Sequence, residues 1–144
     1  MLRLLSKETM IINIEVKNKQ VATLIKNIKT ENRINFFTKD EDQLQVAAFN
    51  MKKNEKIQPH MHLKNKRVLD TTAEVLYVQK GVLIVNFYES PDKCEVNQSF
   101  SLEEGDLILL SGGIHGFEIG EDCRFLEIKQ GPFKASGDKI KLYD

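Results

Sequence analysis

The stretch VLIVNFYE, which begins at Val82, most limits the folds open to this chain. Side chains of an extended strand point alternately to two opposite faces. Here both faces are apolar: Val82 and Ile84 share one, and the other is formed by Leu83, Val85 and Phe87. Such a strand needs a second layer beyond the interior of its own sheet. We predict that an opposing sheet or the N-terminal segment supplies it, or alternatively a homodimer interface.

The rest of the chain is predicted to form short strands separated by turns, so we predict an all-β fold. The stretch QVATLIKNI is ambiguous, because its apolar side chains also fit helical spacing, and we favour a strand. Polar clusters such as KNKQ and SPDKCE are predicted turns. The predicted strands, apart from one around the HxH sequence described below, are residues 11–16, 20–28, 34–38, 44–52, 74–81, 82–89, 96–102, 106–110 and 124–130.

Composition is typical of one globular domain, predicted here over residues 1–144. A chain of this length buries about two-thirds of the surface that its unfolded form exposes. Its 21 basic and 21 acidic residues give a formal net charge of zero, which argues against nucleic acid or an anionic membrane as partner. The apolar run in MLRLLSKETM is too short for a signal peptide and none is long enough for a membrane helix, so a cytoplasmic protein is predicted. Cys94 and Cys123 have no ligand-like spacing and are interpreted as reduced thiols.

Two of the three histidines lie two residues apart in the sequence IQPHMH. In an extended strand His60 and His62 point to the same side, which aims two nitrogen ligands together. Pro59 suits the start of such a strand, because it cannot donate a ladder hydrogen bond. Glu74 begins an otherwise apolar strand face, where a carboxylate needs a partner, and His115 lies in a later strand pattern. Three imidazoles and one carboxylate can therefore converge from separate strands.

The spacing of these residues resembles the first motif of the cupins, a family of small metal-binding β-barrels. That motif reads glycine, five residues, His-x-His, three or four residues, glutamate, six residues and glycine. His60, His62, Glu74 and Gly81 match it. The chain departs from the motif at Asn54, which replaces the first glycine, and in the eleven residues that separate His62 from Glu74.

The second cupin motif reads glycine, five residues, proline, one residue, glycine, two residues, histidine, three residues and asparagine. Gly105, Gly113 and His115 resemble it, but Ser111 replaces the proline and Ile119 the asparagine, and the histidine comes one residue early. The glycines before His115 either permit a sharp bend and a close backbone approach at the site or simply end the strand.

The resemblance implies a cupin-type double-stranded β-helix, which is a jelly-roll barrel of mostly antiparallel strands. Residues 1–50 would supply N-terminal strands, residues 57–119 the two motifs, and residues 123–144 a C-terminal strand and tail. The KQGP sequence near the C-terminus also resembles the ending of a subset of small bacterial cupins that are linked to surface-polysaccharide sugar pathways.

The four candidate ligands, His60, His62, Glu74 and His115, suit one divalent transition metal ion, with Fe, Mn, Ni, Co, Cu and Zn all compatible. An octahedral ion held by four protein groups keeps two positions open for water, dioxygen or two substrate oxygens. We therefore predict divalent-metal binding, with a small sugar-like or carboxylate-like molecule bound at the barrel centre. The sequence leaves open whether the protein is an enzyme, such as a metal-dependent oxygenase or isomerase.

Two alternative functions stay open from the sequence. The first is a metal-containing binding or sensing module without catalysis. In the second, the chain is similar to the sugar-nucleotide isomerases and epimerases built on the same barrel, which need no metal. There a histidine would act as base and Tyr77 or Tyr88 as acid. Alternation from Glu74 points Tyr77 outward, which disfavours that residue.

The loop LKNKRVLDTTA, Leu63 to Ala73, is a candidate specificity element. It adjoins the predicted metal ligands, and Lys64 and Arg67 make it basic enough to attract an anionic group. An ordinary solvated loop is the alternative interpretation.

In the last predicted strand, Glu127 and Lys129 share one face, opposite Leu126 and Ile128. We expect the apolar pair to pack on another sheet, which leaves the charged pair solvated. In the alternative, Glu127 and Lys129 point inward and orient an acidic or hydroxylated ligand.

Overall fold

The computed structural model describes residues 8–142, which form antiparallel β-strands. No helix occurs in that range, so the all-β prediction is confirmed, and none of it can cross a membrane as a helix. Most of the N-terminal stretch judged against a signal peptide, residues 1–7, and the end of the predicted tail, residues 143–144, lie outside the described part of the chain. The strands are β1 (Met10–Val16), β2 (Lys19–Lys26), β3 (Ile34–Phe36), β4 (Ala47–Phe49), β5 (Glu74–Tyr88), β6 (Val96–Leu102), β7 (Leu107–Leu110) and β8 (Ile114–Lys129).

Strand β5 is the centre of the larger sheet. The sheet has the order β1-β2-β7-β5-β6, with β8 also paired to β5. Residues 74–77 of β5 pair with β7, residues 83–88 pair with β6, and β8 follows β5 along nearly its whole length. The two strands predicted over residues 74–89 are therefore one strand. β3 and β4 form a separate two-stranded sheet.

The ribbon of β5 and β8 curls back on itself. Phe87, the register partner of His115, lies thirteen residues after Glu74, roughly 43 Å away in a straight strand. Yet the His115 imidazole contacts the Glu74 carboxylate, 3.3 Å from Nε2 to Oε2. The register shifts between Val78 and Leu83, and such bulges bend a strand. The sheet is consequently a half-barrel, which confirms a barrel-like architecture.

Gly81 sits at this bend and has a structural reason to be glycine. Its φ is +79°, in the left-handed region that side chains with a Cβ rarely adopt. A Cβ at Gly81 would lie 2.0 Å from the backbone oxygen of Asp122 on β8. The two strands can therefore approach this closely only because Gly81 has no side chain.

The core lies on the concave face of the half-barrel. Leu76, Val78, Leu83, Val85 and Phe87 of β5 are each completely buried there, together with residues of β2, β6 and β7. Burial of such side chains contributes about 1.5–3 kcal/mol each relative to exposure.

The convex face of the VLIVNFYE stretch is less covered than predicted. Val82 and Ile84 are only half-buried and belong to neither of the two core clusters. A Cβ on Gly120 of β8 would lie 3.0 Å from Val82 and 3.3 Å from Ile84, so Gly120 packs closely against both. The dimer interface predicted as an alternative cover stays a prediction.

The N-terminal half covers a different part of the sheet. Val75 and Leu109 point away from the main core and pack with Leu44 and Val46, which lie between β3 and β4. This second cluster anchors the small sheet to the outside of the half-barrel. The N-terminal segment therefore packs on the sheet in two places, in the main core through β1 and β2 and at the start of β5 through Leu44 and Val46, but neither cluster covers Val82 and Ile84.

The prediction of a strand rather than a helix for the QVATLIKNI stretch is confirmed, because β2 pairs with β1 and β7. Lys17 and Asn18 form the predicted turn, with φ of 52° and 60°, as a two-residue hairpin turn of this hand requires. Cys94 and Cys123 are free, as predicted.

The segment that carries the histidine pair differs from the prediction. No strand forms between Phe49 and Glu74, and every residue from Lys52 to Thr71 is exposed. The predicted strand over residues 44–52 shrinks to β4. The sequence IQPHMH therefore lies outside any strand and has no ladder partner.

Candidate functional site

A cavity of about 500 Å³ lies where the two ends of the curled β5–β8 ribbon meet. It is in the size range of pockets for small molecules. β5 supplies Glu74 and Tyr88 from its opposite ends, and β8 supplies His115 and Glu127. The remaining wall residues are Thr71 and Thr72 before β5, residues 112–114, 116 and 117, and residues 138–142 near the C-terminus.

Glu74 and His115 meet because both point to the concave face. Glu74 precedes the buried Leu76 on one side of β5, and His115 is the register partner of the buried Phe87. Their side chains are 18% and 25% exposed, so the contact is partly shielded but open to the cavity. Partial burial strengthens a contact between charged or polar groups relative to the same contact in water.

The surroundings of Nδ1, the other ring nitrogen of His115, indicate which nitrogen carries the proton. Nδ1 is buried and has no hydrogen-bond partner in the described residues. A buried N–H without an acceptor costs about 1–3 kcal/mol, whereas an unsatisfied acceptor is better tolerated. We therefore assign the proton to Nε2, which lies 3.3 Å from Oε2 of Glu74 and would have to lose that proton to bind a metal ion.

The rings of His60 and His62 lie side by side, as their spacing predicts. Their centroids are 5.4 Å apart in an edge-to-face arrangement. His60 Nδ1 is 2.9 Å from the carbonyl oxygen of Gln58, so Nδ1–H donates to it and Nε2 keeps its lone pair. This arrangement is typical of metal-binding imidazoles, in which the second nitrogen is fixed by a backbone carbonyl.

The four candidate ligands are assembled as two pairs. Across residues 8–142 no group of three or more histidine, cysteine, aspartate or glutamate side chains is arranged to hold a metal. The donors themselves suit a borderline divalent ion: Glu74 and His115 touch, and His60 offers a free Nε2. What the fold fixes is the Glu74–His115 pair, while the exposed segment carries the histidine pair.

No protein-family model matches this chain, and comparison with curated proteins and with solved structures gave no match either. The resemblance to the cupins thus rests on the two sequence motifs.

The expectation that Leu126 and Ile128 pack on another sheet is wrong, whereas the side chains of Glu127 and Lys129 keep 41% and 26% exposure. In the ladder with β5, Glu127 lies opposite Leu76 and Lys129 opposite Glu74, which places both on the concave face. Leu126 and Ile128 are 46% and 59% exposed on the outside. Both charged side chains therefore lie on the inward face, as in the alternative, while their role in orienting a ligand stays a prediction.

Glu127 and Lys129 form an ion pair at the cavity. Glu127 Oε1 lies 3.4 Å from Lys129 Nζ, and Glu127 lines the cavity. The ammonium of Lys129 also lies 5.8 Å from the centre of the Phe133 ring, a distance at which a cation is attracted to the ring face.

The predicted basic contacts of the loop, Lys64 and Arg67, are exposed and do not line the cavity. The loop reaches the cavity through its last residues instead, since Thr71 and Thr72 both line it. Their hydroxyls can each donate and accept a hydrogen bond.

The glycines before His115 differ in what they do. Gly113 has a φ of +75°, and a Cβ there would lie 2.8 Å from Cγ1 of Val21. The sharp bend predicted from the sequence therefore occurs at Gly113. A Cβ on Gly112 would meet nothing within 4 Å, so the space around Gly112 does not explain its identity.

Sequence reasoning missed the contribution of residues 138–142 to the cavity wall. Its residues Lys139 to Leu142 alternate between polar and apolar, as in a strand, but the segment forms no strand, so this local pattern does not indicate a cavity wall. The two tyrosines behave as their positions suggest: Tyr88 lines the cavity, while Tyr77 is exposed on the outside and borders a separate shallow depression.

Proposed function

We propose that this protein is a cupin-type metal-binding barrel that binds a small oxygen-rich molecule, sugar-like or carboxylate-like, in the cavity at the Glu74–His115 pair. The single observation that carries the proposal is the 3.3 Å contact between these two side chains, which start from opposite ends of the β5–β8 ribbon. A carboxylate and an imidazole brought together inside a cavity form half of a common ligand set for divalent ions.

His60 and His62 would complete the set when the exposed segment folds over the cavity. That segment joins Thr71 and Thr72, which already lie in the cavity wall. It also exposes Met61 and Leu63 by 79% and 80%. Burying these apolar side chains against the half-barrel would favour closure, because apolar area removed from water contributes about 25 cal/mol per Å².

Each chain residue at the site has a definite task in this proposal. Glu74 and His115 hold the fixed half of the site, and Glu127, paired with Lys129, lines the same cavity from β8. The threonine hydroxyls offer hydrogen bonds to ligand oxygens. A bound divalent ion would supply Lewis acidity, which polarises a carbonyl or lowers the pKa of water.

The direct test is the metal content of the purified full-length chain, measured by inductively coupled plasma mass spectrometry. Four proteins are compared: the wild type, Glu74→Gln, the double variant His60→Ala/His62→Ala, and Glu95→Gln as a control for loss of one exposed carboxylate. We expect a transition metal near one equivalent in the wild type and the control, and its loss in the other two. Equal metal content in all four, or none in any after reconstitution, would contradict the proposal.

Closure of the segment is tested separately by trypsin, which cleaves after lysine and arginine. The segment presents Lys64, Lys66 and Arg67, all exposed. Adding the metal should slow cleavage there in the wild type but leave the rate in Glu74→Gln unchanged. Unchanged cleavage in a wild type that has bound the metal would show that the histidine pair does not join Glu74.

One observation favours the metal-free isomerase or epimerase as a second candidate. Tyr88 and His115 line the same cavity, and Glu74 contacts His115, so an acid and an oriented histidine are both present. Against it, the unprotonated Nδ1 of His115 is buried. Deuterium uptake from heavy water into a nucleotide-linked keto-sugar by chelator-treated protein would support this candidate, provided that Tyr88→Phe abolishes it.

A further inference from the structure

The C-terminal segment 138–142 forms one wall of the cavity. Asp138, Lys139, Ile140, Lys141 and Leu142 all line it, together with the Glu74–His115 pair and the glycine-rich bend. The segment belongs to neither sheet. Strand pairing therefore does not account for its position.

The charged groups of the cavity are unequally paired. Glu74 has His115 as a partner and Glu127 has Lys129. Between residues 8 and 142, by contrast, no ion pair or hydrogen bond engages the side chain of Lys139 or Lys141. Asp138 is the one carboxylate in this segment, so the two ammonium groups outnumber it. The segment thus contributes one net positive charge to the wall, and in residues 8–142 no carboxylate lies within ion-pair distance of either ammonium, although Glu74 and Glu127 line the same cavity.

We propose that Lys139 and Lys141 bind an anionic group of the ligand, a phosphate or a carboxylate. The inference rests on the proposed function, since it assigns the chemical class of the molecule bound in the same cavity. An ammonium is a compact point charge with freely rotating donors, so it attracts both kinds of anion. A ligand anchored here would direct its uncharged part toward Glu74 and His115.

The test is a titration of the full-length chain with three sugars of similar size: glucose, glucuronate and glucose 1-phosphate. Affinities are followed by two-dimensional NMR of the backbone amides. Both anions, or one of them, should bind roughly tenfold more tightly than glucose, as expected for two partly screened ammonium contacts. The anion that gains more identifies whether a carboxylate or a phosphate is preferred.

Two matched double variants test whether Lys139 and Lys141 cause the preference for an anionic sugar. Lys139→Met/Lys141→Met should remove the preference for the anion and leave glucose binding unchanged. Lys53→Met/Lys134→Met removes the same charge from exposed positions that do not line the cavity, and it should keep the preference. All four lysines are exposed, so neither variant is expected to unfold, and circular dichroism checks this.

The outcomes separate this inference from the proposed function. Equal binding of all three sugars, or equal loss in both double variants, would overturn the role of Lys139 and Lys141 while the cavity kept its ligand. Failure of every sugar to bind would overturn both the sugar-binding cavity and this inference. Metal content does not enter any of these readouts.

Discussion

Replacing Gly81 tests whether the bend in the β5–β8 ribbon is real and what it contributes to stability. At φ +79° an alanine costs about 1–2 kcal/mol, because its Cβ crowds the backbone in the left-handed conformation. The Cβ would also lie 2.0 Å from the backbone oxygen of Asp122, and backbone cannot yield by changing rotamer. Forcing such a shift in a packed region costs about 1–3 kcal/mol more. We expect Gly81→Ala to lower the free energy of unfolding by about 2–5 kcal/mol.

Gly105 and Gly113 allow the conformational cost of an alanine to be separated from its steric cost. Gly105 has a φ of +86°, and a Cβ there would meet nothing within 4 Å, so Gly105→Ala should show the conformational cost alone. At Gly113 the obstacle is a side chain, Cγ1 of Val21 at 2.8 Å, which can move a little. Urea unfolding followed by circular dichroism should therefore rank the losses as Gly81→Ala, then Gly113→Ala, then Gly105→Ala.

An equal loss in the free energy of unfolding for Gly81→Ala and Gly105→Ala would contradict the proposed steric cost at Gly81. That result would mean that the backbone of Asp122 does not approach Gly81, and the ribbon would not bend as described. The contact of Glu74 with His115 would then lose its structural basis.

Two further contrasts test the roles given to individual side chains. Leu76 is completely buried, so Leu76→Ala should lower the free energy of unfolding by about 2–5 kcal/mol. His62→Ala should instead lose metal with little change in that free energy. Metal loss in Leu76→Ala and destabilisation in His62→Ala, measured by metal analysis and urea unfolding, would show that the roles are exchanged. Asp106 is buried and accepts backbone hydrogen bonds at 3.2 and 2.9 Å besides its contact with Lys26 at 3.3 Å. Asp106→Ala should lower the free energy of unfolding by about 3 kcal/mol. Lys26→Met should lower it by only about 1 kcal/mol, because the lysine is partly solvated. Equal losses would mean that the ion pair stabilises the fold more than the backbone hydrogen bonds do.

Most strands could be predicted from the sequence because their signal is local. The alternation around Ile14 and the two-faced apolar pattern from Val82 identify strands without any tertiary information, whereas the stretch around Leu24 also fits a helix. The long continuous strands could not be predicted. Nothing local shows that the chain passes through Gly81 within one strand, since a glycine after a strand usually marks an end or a bulge.

The candidate site, too, could be predicted only in part from local sequence. Glu74 was recognisable as a carboxylate on an apolar face, and its partner His115 followed from the few histidines in the chain. The direction of Glu127 was not predictable. Apolar residues such as Ile128 can lie exposed on the outside of a sheet, so an apolar pair does not by itself identify the buried face. Residues 139–142 alternate polar and apolar side chains but form no strand, so only the tertiary structure reveals their place in the cavity wall.

The two halves of the candidate ligand set differ in how the fold holds them. Glu74 and His115 lie on strands whose ladder hydrogen bonds fix their backbone, so the fold has already ordered them. His60 and His62 lie on an exposed segment without ladder partners, and fixing one residue there costs about 1–2 kcal/mol of backbone entropy. The position of the proposed site is thus set by the curl at Gly81, whereas its affinity depends on how readily the segment from Lys52 to Thr71 becomes ordered.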